Sequence, residues 1–214
     1  MFLQRFLKGI TGLSVTEADA ILTETGIQSQ WLTARGMPVG KDIQRRLTWR
    51  NLDWHLNHYD DPDPLEKNDP FRDHTPFIST TAGTIERDIA ARANFTLSAF
   101  RTALEFATRQ YTMTGWIFYG YLYVIGKQSI PLEPFAEEVR DLHIYTGWLP
   151  YQHEGEITAK LRIPAVNLEK CEQWDGPGVL ADLAAGVNPA PNTTIVNPEF
   201  SAPEQYTNLR GMLD

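Results

Sequence analysis

An α+β domain is predicted by three features of the sequence. A long stretch from Thr84 to about Thr112 places Ile85, Ile89, Ala93, Leu97, Phe100, Leu104 and Ala107 near a 3.6-residue period. The run WIFYGYLYVIG, residues 116–126, is aromatic and β-branched, as strands are. The other strand and helix signals do not alternate in the manner of a βαβ chain.

Taken in order, the elements read as follows. MFLQRFLKGITGL is apolar but interrupted by Gln4, Arg5, Lys8 and Gly9, which predicts a short amphipathic helix rather than a secretory signal. SVTEADAILTET, residues 14–25, predicts a helix with Ser14 as N-cap and Glu17 three residues on. WLTAR, 31–35, ended by GMPVG, predicts a strand and a turn. Residues 40–58 read as helical around Ile43, Leu47 and Leu52. YDDPDPLEKNDPF, 59–71, is a loop by its prolines and aspartates. TPFISTT, 75–81, predicts a second strand, and PLEPFAEEVRDL, 131–142, a loop leading to a short helix. Ile157, Ala159, Leu161 and Ile163 alternate as in a half-buried strand. The chain from 175 onward is rich in Pro, Gly and Asn and predicts a surface-wrapping or extended tail. The expected organisation is a helical extension over 1–30, a central domain over 31–175 and an extended tail over 176–214.

Composition bounds the function. With 42% hydrophobic residues and 11% aromatics the chain can pack a core. No run approaches a membrane span. The single Cys171 cannot form an internal disulfide, which predicts a cytoplasmic setting. A net charge of −8 argues against tight non-specific binding to a phosphate backbone, though not against a nucleic acid met as a substrate. No P-loop, GxGxxG or GxSxG motif is present, and His55 and His58 face no second pair with zinc spacing.

Three polar groups stand out. Arg35 ends WLTAR; Ser79, Thr80 and Thr81 end FISTT; Glu154 and Glu156 open the later strand, one residue apart and aimed to one side. Like charges so close are costly unless something positive or reactive lies between them. Each group alone has an ordinary reading: a surface charge, a helix cap at Thr81, a solvated strand end.

In combination they resemble the cholera-toxin and pertussis-toxin type of mono-ADP-ribosyltransferase. That family carries an Arg on its first strand, a Ser-Thr-Ser strand and a Glu-x-Glu on a later strand. RDHTPFISTTAGTIERD resembles the Ser-Thr-Ser region, with Thr81 in place of the last Ser. HEGEITAKLRIPAVNLEKCEQW resembles the Glu-x-Glu stretch, IFYGYLYVI the strand between, and NLDWHL the segment that brings a His, here His55, to the nicotinamide pocket. The resemblance covers about residues 30–175. It implies two packed, mainly antiparallel sheets flanked by helices, and transfer of ADP-ribose from NAD with nicotinamide release and no metal.

The resemblance also implies roles. Glu156 holds the ribose beside a developing oxocarbenium-like charge, and Glu154 accepts the acceptor's proton. Arg35 grips the pyrophosphate. Ser79 orients Glu156, Thr80 faces the nucleotide, and Tyr151 meets the acceptor. An acid at position 154 goes in the family with a protein acceptor through arginine; nucleic acid is the other acceptor class. An intracellular toxin held by an antitoxin, or an effector delivered into a target cell, fits the expected setting. NAD glycohydrolysis on the same scaffold and a non-enzymatic binding module are the alternatives.

Overall fold

A computed structural model describes residues 2–36, 40–82, 92–124, 130, 136–138 and 156–200. In chain order these form strand β1 (Phe2–Thr11), helix α1 (Val15–Ala20) continued by a π-helical turn (Ile21–Thr25), β2 (Ile27–Gln28), α2 (Gln30–Arg35), α3 (Gly40–Arg46), α4 (Trp49–Asn57), β3 (Phe77–Thr81) and α5 (Arg92–Ala107). There follow β4 (Thr114–Val124), β5 (Glu137–Glu138), β6 (Glu156–Lys160), β7 (Arg162–Ile163), β8 (Leu168–Asp175), α6 (Gly176–Ala184) and β9 (Thr193–Val196). The α+β expectation holds.

The main sheet has seven strands in the order β5-β6-β3-β1-β4-β8-β9, and its paired strands run antiparallel; β2 and β7 form a separate ribbon. The sheet has two well-paired parts. On one side β1 and β4 pair along ten residues, from Phe2 opposite Val124 to Thr11 opposite Gly115. On the other, β3 and β6 pair from Phe77 opposite Lys160 to Thr81 opposite Glu156. Between these parts the register of β1 with β3 is Leu7 opposite Thr81. A sheet joined so narrowly can splay there, and a cleft opens beside that joint.

The N-terminal segment is a strand, not the expected helix. It lies at the centre of the sheet, so residues 1–30 are not an extension. The reason is physical. Phe6 packs into the larger core cluster with Trp116, Phe118 and Ile157, while Leu7 packs into a second cluster with Ala103, Ile117 and Trp174. A central strand covered on both faces loses clean alternation. Apolar residues at 2, 3, 6, 7 and 10 then imitate a helical stripe.

WLTAR is likewise a helix. Ser29 caps α2 by accepting from the Leu32 backbone N–H at 3.3 Å, and Gly36, at φ 73°, ends it in the left-handed region. The cap predicted at Ser14 forms in full: Glu17 N–H donates to Ser14 Oγ at 3.2 Å and Ser14 N–H donates to Glu17 at 2.7 Å. The region 40–58 divides into α3 and α4. Of the loop and short helix expected over 131–142, the described part is Ala136 and β5, a short strand at the sheet edge; the rest lies outside the described residues.

The expected tail is partly built into the domain. Asp175 caps α6, and β9 extends the sheet alongside β8. Buried Asn197 donates to the carbonyls of Leu22, Ala165 and Leu168, each at 3.0 Å, and Phe200 stacks on Tyr121. Among the described residues no helix is long and apolar enough to cross a membrane.

Candidate functional site

The cleft has a volume of about 740 Å³, within the usual range of ligand sites. Its walls come from β1, the π-helical turn, β2, α2, α4 and β3. Lys8, His55, Tyr59, Thr75, Ser79 and Arg109 supply much of its chemistry.

His55 is the hinge of the polar network. It lies on α4, whose first turn is capped by Thr48 accepting from Asn51 N–H at 3.1 Å. Its side chain is 4% exposed. Nδ1 lies 2.9 Å from Thr75 Oγ1, and Nε2 lies 2.8 Å from Ser79 Oγ. Thr75 Oγ1 already accepts from the Phe77 backbone N–H at 3.2 Å, so its own proton suits His55 Nδ1. That assignment leaves the ring proton on Nε2, donating to Ser79. Burial, aided by the charge of Lys8, lowers the His55 pKa to about 3. The ring is therefore neutral at pH 7.

Glu156 opens β6 and faces this network. Its Oε1 is 3.9 Å from His55 Nε2 and accepts from Thr158 Oγ1 at 3.1 Å. The carboxylate acts on Lys8 as well. Burial lowers the Lys8 pKa, and Glu156 pulls it back up. One carboxylate, one desolvated ammonium, one neutral imidazole and one serine hydroxyl thus converge from β6, β1, α4 and β3. A fixed carboxylate opposite an open cleft can stabilise a cation developing on a bound molecule. Tyr59 adds a half-exposed ring at the mouth, edge-on to His55 at 5.6 Å between centroids.

The expected site residues are therefore sorted. His55, Ser79 and Glu156 come together, and Thr81 lies directly opposite Glu156 in the β3–β6 ladder. Thr80 is buried and donates to the Ile157 carbonyl at 2.6 Å, so its hydroxyl serves the sheet rather than facing a nucleotide. Glu154 and Tyr151 lie outside the described residues. His58 pairs with exposed Asp61 at 2.7 Å.

Arg35 is not where the expectation put it. It sits at the end of a helix, its side chain 49% exposed, in an ion pair with Glu66, and it does not line the cleft. Glu66 also accepts from Arg46 at 3.3 Å, and Arg46 is bonded to buried Asp63 at 2.5 Å. The Arg35–Glu66 pair thus fastens the loop that follows α4 to α2. An exposed pair of this kind contributes at most about 1 kcal/mol. Arg35→Ala is expected to lower Tm in thermal melts by no more than about 4 °C. A larger fall would mean that Arg35 does more than fasten that loop.

The residues missed at the sequence level are Lys8, Tyr59, Thr75 and Arg109. The signal that could have found Lys8 was present: it is one of the polar residues, with Gln4 and Arg5, that interrupt an apolar run. It becomes informative only once the run is assigned to a strand.

Among the described residues one group can be considered for a metal. Glu66, Asp69 and His74 each offer one ligand atom, all within 4.8 Å of one another. Glu66 is held by two arginines, and His74 Nε2 lies 3.0 Å from Asp69, so protein ion pairs account for the grouping.

The buried histidine makes stability depend on pH. The folded pKa lies below the ordinary 6.5, so the unfolded chain binds the extra proton between pH 6.5 and about 3. The contribution is complete above pH 6.5 and falls as the pH drops through that window. From pH 7 to 5 the loss is about 2 kcal/mol. Denaturant unfolding of wild type and His55→Gln at both pH values measures it. The wild type is expected to lose that much more than the variant, and parallel losses would contradict the buried neutral ring.

No protein-family model matches the chain, and no curated protein sequence matches it. Among solved structures the chain is similar to one named EcPltA, at 12% identity and a TM-score of 0.40, with 94% of this chain and 89% of that chain covered. A likeness that loose bears on neither fold family nor activity.

Proposed function

We propose that the protein is an NAD-dependent mono-ADP-ribosyltransferase with an ADP-ribosyltransferase-like fold. The observation that carries this reading is that His55, Ser79 and Lys8 line one cleft and Glu156 stands directly behind them, 3.9 Å from His55 Nε2. His55, Ser79 and Glu156 follow the order that the resemblance implies, and His55 and Glu156 lie 101 positions apart in the chain.

In this reading the bond between the nicotinamide nitrogen and ribose C1′ breaks, and its electron pair leaves with nicotinamide. Glu156 stabilises the positive charge left on the ribose. Ser79, held by His55, lines the wall beside it. A nucleophile on a protein or nucleic acid then bonds to C1′, and its proton passes to a base, for which Glu154 is the candidate. The cation on the first strand is Lys8 rather than Arg35. A lysine supplies a point charge and no bidentate fork, which is a departure from the family pattern. Toxin or effector activity, with an inhibitory partner, is the biological setting this chemistry suits.

The test is purified protein mixed with NAD labelled in its adenylate, together with a cell lysate separated afterwards into protein and nucleic-acid fractions. Nicotinamide release with label in one fraction is expected, and the fraction names the acceptor class. Release without label in either fraction would replace transfer by hydrolysis. Neither release nor NAD binding would sink the reading and leave a binding module.

A further inference from the structure

We infer that Arg109 is the anion grip of the cleft and binds the diphosphate of a nucleotide ligand. The inference rests on the reading of the cleft as a dinucleotide site.

The first observation is charge. The chain carries 27 acidic and 19 basic residues, yet the described residues that line the cleft include Lys8 and Arg109 and no carboxylate. Glu156 stands next to His55 and acts on Lys8, leaving Arg109 as the cation further along the wall. Among the described residues the Arg109 guanidinium has no acidic partner. Exposed Arg45, Arg50 and Arg162 are likewise in no ion pair among the described residues, and what sets Arg109 apart is its place in the cleft wall.

The second is backbone strain. Arg109, Gln110 and Tyr111 are three consecutive residues in the left-handed region, at φ 45°, 54° and 65°. Such residues are uncommon outside glycine and persist where the surroundings over-determine them, often at ligand sites. Here the turn is held from several sides. Thr108 Oγ1 accepts from Tyr111 N–H at 3.0 Å while donating to the Leu104 carbonyl at 2.7 Å. Tyr111 packs on the cluster that contains Trp174 and Val179. Gly176 lies so close that a Cβ there would come within 2.7 Å of the Tyr111 backbone. The held turn fixes the backbone from which exposed Arg109 enters the cleft, which lowers part of the ordering cost of gripping a ligand.

The third is spacing. Thr11 Oγ1 donates to the carbonyls of Phe106 and Ala107, two residues before Arg109. Lys8 and Thr11 are three residues apart on β1, on the order of 10 Å along a strand. Arg109 thus reaches the cleft near the Thr11 end of β1, a few residues along the strand from Lys8. The planar guanidinium can bind two phosphate oxygens at once, which Lys8 cannot do.

Calorimetry with ADP, NAD and nicotinamide riboside as probes tests this, on wild type, Arg109→Gln and Arg45→Gln. Arg45 is exposed on α3 outside the cleft, so its variant controls for net charge. Thermal melts check that each variant is folded. The expected result is at least tenfold weaker binding of ADP and NAD by Arg109→Gln, with nicotinamide riboside and the Arg45 variant unaffected. Arg109→Lys should recover only part of the loss. Equal losses in the two glutamine variants, no loss, or a wild type that does not bind ADP would overturn the inference. NAD cleaved with the same KM by Arg109→Gln would also overturn it and leave the transferase reading standing. Arg109-dependent ADP binding by a protein that does not cleave NAD would support the anion grip and remove the transferase. Loss of ADP with NAD unaffected would mark a free-nucleotide site and overturn the dinucleotide assignment.

Discussion

Glu156→Gln is expected to reduce nicotinamide release from NAD by about 10²–10³-fold, with NAD binding changed far less. The amide has the shape of the carboxylate and can still accept from Thr158 Oγ1, which lies 3.1 Å from Glu156 Oε1. What it loses is the charge that would face a developing cation. In the folded variant the loss belongs in kcat, because ground-state NAD carries no ribose oxocarbenium for Glu156 to stabilise. A second consequence follows from the neighbours. Glu156 raises the proton affinity of Lys8 against the effect of burial. Without it the ammonium deprotonates at lower pH, so residual activity should fall off earlier on the alkaline side than in wild type. Steady-state release of nicotinamide across a pH series measures both effects. A kcat within threefold of wild type would remove Glu156 from the chemistry.

The sequence was legible where local rules decide. The Ser14–Glu17 cap, the aromatic strand β4, the strand FISTT and the proline-rich loop each depend on neighbours within a few residues. The site was legible in part for a related reason: His55, Ser79 and Glu156 sit on elements of recognisable order. The failures came where tertiary burial overrides periodicity. β1 is covered on both faces, so Phe6 and Leu7 are both buried and the strand reads as a helix. That error hid Lys8 and made WLTAR look like the first strand. Arg35 then took a role that its helix and its Glu66 partner do not support. Ser29, two residues before Trp31, was the overlooked cap. Thr80 shows a finer limit. Neighbouring hydroxyls on a strand point to opposite sides, and only the ladder partner, Ile157, shows which of them turns into the sheet.

Gly115→Val is expected to destabilise the fold by at least about 3 kcal/mol, lowering Tm by roughly 10 °C. The argument is one of space. A Cβ at Gly115 would lie 1.7 Å from the Ala107 carbonyl oxygen and 2.5 Å from its carbon, and backbone atoms cannot swing aside as a side-chain tip can. Gly9, on the neighbouring strand, meets the same helix, with a Cβ there 2.2 Å from the Ala103 carbonyl oxygen. Among the described residues, Ala99, Ala103 and Ala107 are buried small residues of α5. Glycines on the sheet and alanines on the helix thus let α5 lie almost backbone to backbone on β1 and β4. Any side chain at 115 lifts the end of that helix and strips contacts from Ile117 and Trp174. Gly12→Ala is the comparison. Nothing lies within 4 Å of a Cβ at Gly12, and its φ of 78° costs a side chain only about 1 kcal/mol. Equal losses of Tm in the two variants would mean that α5 can shift off the sheet cheaply. A much larger loss at 115 also predicts an effect at a distance. The strained turn carrying Arg109 begins at the C-terminal end of α5, so a displaced helix should weaken ADP binding even where the Gly115 variant remains folded.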